Sequence, residues 1–373
     1  MMIYIFIIIS IVVFGLVYYS GAHSKAQKIK AKTTYIFIIC SIMLLISGLR
    51  NVAVGEDTYA YFLTFNEVKN TSWSQTLNEI SDYYSSGLGK DPGYTLFQKI
   101  LQIISTDYTV YLLIVSSIFH LSLAKFINNN TTKLSDATIA LLIYFVLFFS
   151  VFSITALRQS IALAITMHCY KYVKEKKLLP FLFFILIGSM IHRSILVFIP
   201  FYFLCQIKYT KYLFSIVLLL FPLFLWQKAA LSAYLISLGG YEEYEAFDGA
   251  GTYVFTGIFI FISLIALARR KYILKKNMEF KNYYNAFSIA LVLLPLSWVH
   301  PALLRITMYF SIFMLLFIPE ILRTFDTTSV KFRRGLMVGA SVLLIGLFLQ
   351  SAYKKNLEYK FYWEEMKLGK NYE

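Results

Sequence analysis

The chain opens MMIYIFIIISIVVFGLVYYS (Met1–Ser20) and runs on through GAHSKAQKIKAKTT (21–34). An unbroken apolar run of spanning length, closed by Lys25, Lys28, Lys30 and Lys32, reads as a first membrane span with a basic inner flank. It has no basic n-region and no small-residue cleavage site, so it is read as a span and not as a removable signal. The same pattern recurs along all 373 residues, of which 58% are hydrophobic and only 15% charged, with a mean hydropathy of +0.65. That composition excludes a soluble enzyme, a disordered chain and a disulfide scaffold. The runs are also too long for the alternating strands of an outer-membrane barrel. Helices remain, because lipid leaves no backbone polar group unsatisfied.

The expected fold is therefore all-α, a polytopic integral membrane protein with about 12 transmembrane helices. The apolar runs lie at roughly 2–19, 34–49, 108–127, 136–152, 155–172, 178–191, 194–206, 212–226, 253–268, 282–298, 302–318 and 335–351. Residues 1–351 form a single bundle, and 352–373, with Tyr359, Phe361, Tyr362 and Trp363 among charges, reads as an amphipathic interfacial tail, best taken as a helix. Placing 20–33 in the cytoplasm puts 22 lysines and arginines on that side and eight in the opposite loops, the last five lying in the C-terminal tail. The net charge of +15 is then a topogenic signal facing anionic lipid, and no nucleic-acid partner is expected.

Two outer loops follow, 50–107 and 227–252. The first is long and carries helical stripes at Trp73, Leu77, Ile80, Tyr84 and at Tyr94, Phe97, Leu101, Ile104, read as short interfacial helices. The second contains the acidic GGYEEYEAFDGAG.

The outer cations divide by type. The lysines sit within loops, but Arg50, Arg158, Arg193 and Arg305 sit at or near span ends. Positive-inside pressure acts against each, and an arginine at membrane depth needs an anionic partner or a wet cavity. Its planar fork holds phosphate or carboxylate bidentately and keeps its charge. Such a set suits a phosphorylated ligand, and a membrane enzyme without a nucleotide fold can draw on a phosphate-activated lipid. His120 and His168 read as core residues, His300 as a helix-entry residue and His23 as loop. Cys40, Cys169 and Cys205 lie in apolar runs without metal spacing. No metal and no cofactor are expected.

At these residues the sequence resembles the EpsG-like, Wzy-type family of bacterial polysaccharide polymerases. GEDTY (Gly55–Tyr59), shortly after Arg50, is similar to the family's R…G-x-D-T-x-x-Y signature, and DPGY (Asp91–Tyr94) to the step that follows. ALRQSIA (Ala156–Ala162), MIHRSIL (Met190–Leu196) and LLRITMYF (Leu303–Phe310) resemble its later helices, in order. Glu56 stands where the family more often has threonine.

The resemblance implies a glycosyltransferase at the outer face of the bacterial cytoplasmic (inner) membrane. It would pass a growing O-antigen, capsule or exopolysaccharide chain from undecaprenyl pyrophosphate to the distal sugar of a lipid-linked oligosaccharide repeat. Donor, acceptor, membrane lipid, a chain-length regulator and a flippase are the implied partners. The catalytic candidates are His192, Arg158, Arg305 and Asp57. Arg158 and Arg305 would hold the donor pyrophosphate, and His192 is preferred over Asp57 as general base. The substrate-binding candidates are Arg50, Gly55, Glu56, Tyr59, Asp91, Gln159, Arg193 and Tyr309. A flippase for the same lipid-linked oligosaccharide, or an O-antigen-ligase-like transferase, is the alternative. A flippase usually shows repeat symmetry between halves, and none is apparent here.

Overall fold

The computed structural model describes residues 1–21, 23–87, 89, 91–207, 212–239, 252–300, 303–327, 330–354 and 358–365. The acidic stretch of the second outer loop (240–251) and the end of the tail (366–373) lie outside the described residues. The helices are α1 (Met2–Ser20), α2 (Lys25–Gly48), α3 (Thr58–Asn70), α4 (Trp73–Ser86), α5 (Pro92–Gln102), α6 (Tyr108–Asn130), α7 (Leu134–Leu147), α8 (Leu157–Glu175) and α9 (Leu178–Ile191). They continue as α10 (Ile199–Gln206), α11 (Leu213–Trp226), α12 (Lys228–Gly239), α13 (Tyr253–Lys276), α14 (Lys281–Leu293), α15 (Leu304–Ser311), α16 (Met314–Arg323) and α17 (Val330–Lys354). Among the described residues there is no strand beyond one isolated bridge, Arg50 to Phe361.

Among the described residues, five helices are long and apolar enough to cross a membrane: α1, α2, α6, α13 and most of α17. Two bent pairs, α11 with the start of α12 (87°) and α15 with α16 (46°), raise the number to seven. Other apolar segments are shorter, at Leu134–Leu147, Leu178–Ile191 and Arg193–Gln206. The difference from about twelve has a local cause. Several runs that read as continuous are broken, 282–298 by the turn Leu294–Trp298 after α14 and 302–318 by the bend between α15 and α16.

The chain divides into two compact units: residues 1–168, 187–192 and 337–373 form the first, residues 169–186 and 193–336 the second. In the first unit α2 begins with a capping box, Gln27 N donating to Ser24 Oγ (3.2 Å) and Ser24 N to Gln27 Oε1 (2.9 Å). It lies so close to α6 that a methyl at Gly48 would come within 2.6 Å of Leu113 Cδ2. Lys32 Nζ closes the far end of α6 by donating to Asn128 O (2.7 Å) and Thr131 O (2.6 Å), where the helix dipole favours a cation.

Between α7 and α8 the backbone makes a π-helical turn over Ser150–Thr155. Three successive carbonyls there each receive a hydroxyl: Ser160 Oγ donates to Phe152 O, Ser47 Oγ to Ser153 O, and Thr58 Oγ1 to Ile154 O (3.1 Å). A break at this depth is tolerable only with such partners. The Ser153 side chain is held in turn by Tyr144 OH (2.6 Å) and His120 Nε2 (3.0 Å). His120 Nδ1 lies 2.8 Å from Ser116 O, an acceptor only, so Nδ1 carries the proton. His120 is thus a bonded core residue.

The two short helices expected within 50–107 are α4 and α5, and α3 precedes them. α4 exposes Trp73, Leu77 and Tyr84 and ends at Gly87 in the left-handed region (φ 72°). α5 turns most of its expected stripe inward instead, with Tyr94 and Leu101 buried and Phe97 half-buried, while Ile104, just past the helix end, is exposed. The tail also departs from the helical expectation over 358–365. Asn51 N donates to Lys360 O (2.9 Å) and Tyr362 N to Leu49 O (2.9 Å), so this segment pairs with the end of α2.

In the second unit buried Glu320 pairs with Lys276 and Arg323, each at 2.8 Å. Arg269 lies between the rings of Tyr272 (4.2 Å) and Phe325 (4.4 Å). These residues of the basic clusters are engaged in packing the helix ends.

Candidate functional site

The described contacts join three widely separated motifs of the first unit at one carboxylate. Asp91 Oδ2 accepts from Arg158 Nη1 at 3.1 Å and lies 3.4 Å from His192 Nδ1. The Asp91 side chain is 3% exposed, against 15% for His192 and 28% for Arg158, so the acid lies deepest.

Each residue is placed by a local feature. Asp91 adopts the left-handed conformation (φ 51°, ψ 53°) just before α5, and Pro92 opens the helix. Gly93 permits the docking: a methyl there would lie 2.5 Å from Met190 Cβ and 2.8 Å from the Met190 carbonyl carbon and oxygen. The rest of α5 is fastened by Lys99 Nζ, which donates to Val68 O (3.0 Å) and Thr71 O (2.6 Å), and by Gln102 Nε2, which donates to Phe65 O (2.7 Å). Arg158 is the second residue of α8, immediately after the π turn. Its guanidinium lies 5.7 Å from the Tyr61 ring centroid and 5.8 Å from that of Tyr94. His192 follows the last residue of α9, its N–H bonded to Gly188 O (2.9 Å).

The GEDTY and ALRQS motifs help to build this centre. Gly55 has φ +98°, and a methyl on it would lie 3.0 Å from Ile154 O. Thr58 and Ser160, from the two motifs, cap carbonyls of the π turn that precedes Arg158. Glu56 is exposed, Asp57 and Tyr59 are half-buried at the start of α3, and Gln159 is buried beside Arg158.

Arg50 is 1% exposed. Its Nη1 donates to Ser47 O at the C-terminal end of α2, where a cation is favoured, and its backbone faces Phe361 of the tail. Nε and Nη2 have no hydrogen-bond partner among the described residues, and the phenols of Tyr4, Tyr94, Tyr108 and Tyr359 lie within electrostatic reach. Tyr94 is therefore a neighbour of both Arg50 and Arg158.

The remaining candidates belong to the second unit. Arg193 is exposed at the start of the turn Arg193–Phe198, and Arg305 is half-buried in α15. Tyr309 is fully buried, its hydroxyl 3.0 Å from Ser194 Oγ. Tyr94 is likewise buried, receiving the Tyr111 hydroxyl at 2.7 Å. For both tyrosines packing is what the structure displays. Sequence reasoning missed Tyr61 and Gly93. Gly93 carried a signal inside DPGY, since a glycine at the second residue of a helix invites a close-approach explanation.

Chemically, the centre offers a cation, an imidazole and an acid that bonds both. That set can neutralise developing negative charge and accept a proton. A protein-family model, that of the EpsG family, matches residues 33–362, an interval containing all three residues of the centre. No curated protein and no solved structure matches the chain.

Proposed function

The chain belongs to the EpsG family, whose members are membrane proteins of polysaccharide biosynthesis, and from that premise we propose that it is a Wzy-type polysaccharide polymerase. The donor is a growing glycan on undecaprenyl pyrophosphate, and the acceptor is the distal sugar of a second lipid-linked oligosaccharide. The three shorter apolar segments, with α8 and α14, bring the seven candidates to about twelve spans. Residues 50–107 then lie at the outer face of the cytoplasmic membrane, as the lysine and arginine distribution supports.

An acceptor hydroxyl oxygen attacks the donor's anomeric carbon. The new glycosidic bond forms as the bond from that carbon to the pyrophosphate oxygen breaks. The lipid pyrophosphate leaves with the electron pair, and the hydroxyl proton passes to His192. Arg158 holds the pyrophosphate as its charge grows. Asp57, Glu56 and Tyr59 are assigned to the acceptor sugar. A preorganised contact to developing charge typically lowers the barrier by about 2.7–4 kcal/mol.

The observation that carries this reading is the meeting of Arg158, Asp91 and His192, drawn from three family-like motifs, at one buried carboxylate. The test is alanine replacement of Arg158, Arg305, His192 and Asp57, with membrane expression measured in parallel. Polymer is expected to shorten or vanish in the Arg158, Arg305 and His192 variants, and polymer of normal length in all four would end the mechanism.

A further inference from the structure

The sequence makes Asp91 a substrate-binding candidate, but the structure buries it and sets it against two partners at once. We infer that Asp91 is a positioning residue: it fixes the His192 imidazole so that Nδ1 is protonated and Nε2 presents its lone pair as the base. The inference rests on the transferase reading above and deepens it.

A carboxylate oxygen only accepts. Both contacts to Oδ2 are attractive only if Arg158 Nη1 and His192 Nδ1 each donate. The first always does. The second does so only in the tautomer with a proton on Nδ1, which leaves Nε2 free to accept. The exposure gradient matches the assignment, since the acid sits behind while the imidazole and the guanidinium are partly open.

The carboxylate is held there by more than its two partners. The left-handed Asp91 backbone, the fixed φ of Pro92 and the closeness of Gly93 to Met190 allow α5 little freedom at this end. Met190 and His192 lie at the same end of α9, so the element that locates the acid also locates the imidazole. Arg158 does the complementary work on Asp91. Its charge keeps the carboxylate an acceptor, and the Tyr61 and Tyr94 rings hold the guanidinium plane.

Asp91→Asn preserves shape and removes the charge. Its carbonyl oxygen, set at the Oδ2 position, can still accept from both partners through two lone pairs, so this variant tests the charge alone. Asp91→Leu removes the acceptor as well and leaves nothing to hold the proton on Nδ1.

The experiment combines two readouts on the full-length protein in lipid. First, the ¹⁵N shifts of the imidazole nitrogens, with His192 assigned by comparison with His192→Gln, report the tautomer. Second, kcat and KM for a lipid-pyrophosphate oligosaccharide separate chemistry from binding. Wild type is expected to show an unprotonated Nε2. Asp91→Leu is expected to show a protonated Nε2 and a kcat lower by about 100-fold to 10,000-fold, with KM within about threefold. Asp91→Glu, which keeps the charge, is expected to regain part of that loss. An unchanged tautomer, or wild-type kcat, in Asp91→Leu overturns the inference while leaving the transferase reading intact if His192→Ala is inactive. Wild-type turnover in His192→Ala overturns both.

Discussion

Arg158→Lys is expected to abolish most chain extension although it retains the charge. Arginine does three things here that lysine cannot do together. It donates through Nη1 to Asp91 at 3.1 Å, it spreads a planar cation beside two tyrosine rings, and it keeps further N–H groups for a ligand. A lysine ammonium is a point charge on a flexible stem, and bonding Asp91 would draw it away from the rings. Losing a contact to developing charge costs about 2.7–4 kcal/mol, or about 100-fold to 1,000-fold in rate. Arg158→Ala is a less informative variant, because it strips a buried acid of its ionic partner and destabilises the protein by about 3–5 kcal/mol. The measurement is the elongation rate in membranes, normalised to folded protein. Elongation by Arg158→Lys at the wild-type rate would show that position and charge alone suffice.

Gly93→Ala is expected to be nearly as damaging, without touching a charged group. The added methyl would overlap Met190 Cβ at 2.5 Å and the Met190 carbonyl at 2.8 Å, and backbone does not yield as a long side chain does. The start of α5 must move off α9, carrying Asp91 with it. The His192 contact, at 3.4 Å, has no slack to lengthen. Overpacking costs about 1–3 kcal/mol in stability, and a misplacement of about 1 Å can cost about 100-fold in rate. Gly257→Ala in α13, where an added methyl meets nothing, is the matched control and should be neutral. Thermal melts alongside elongation rates check both effects, and normal elongation in Gly93→Ala would separate the close approach from activity.

Both variants probe features only partly visible in the amino-acid order. Hydropathy located the long helices α1, α2, α6, α13 and α17, because apolarity is written residue by residue. It separated the runs 136–152 and 155–172 but did not show that the residues joining them, Ser150–Thr155, form a π turn. The turn's partners, Ser47, Thr58 and Ser160, lie far off in sequence or look like ordinary helix serines. The tail shows the same limit. Its aromatic and charged residues satisfy a helical reading, but the bonds to Leu49 and Asn51 come from a partner about 300 residues away, which no local period encodes.

At the site, Arg158 and His192 were legible as catalytic candidates, and Asp91 as a substrate-binding candidate. What the local pattern lacked was their mutual distance, set by the docking of α5 on α9 through Gly93. Arg50 is the converse case. Its type suggested a ligand contact, but its position at the end of α2 gives it a helix carbonyl as partner and tail backbone as cover.

The most direct test of the account is reconstitution of the purified protein in liposomes with a synthetic undecaprenyl-pyrophosphate oligosaccharide, followed by sizing of the product. The account predicts a ladder spaced by one repeat unit for the wild type and none for His192→Ala. Repeats that cross the bilayer without lengthening, or a single transferred unit, would contradict it.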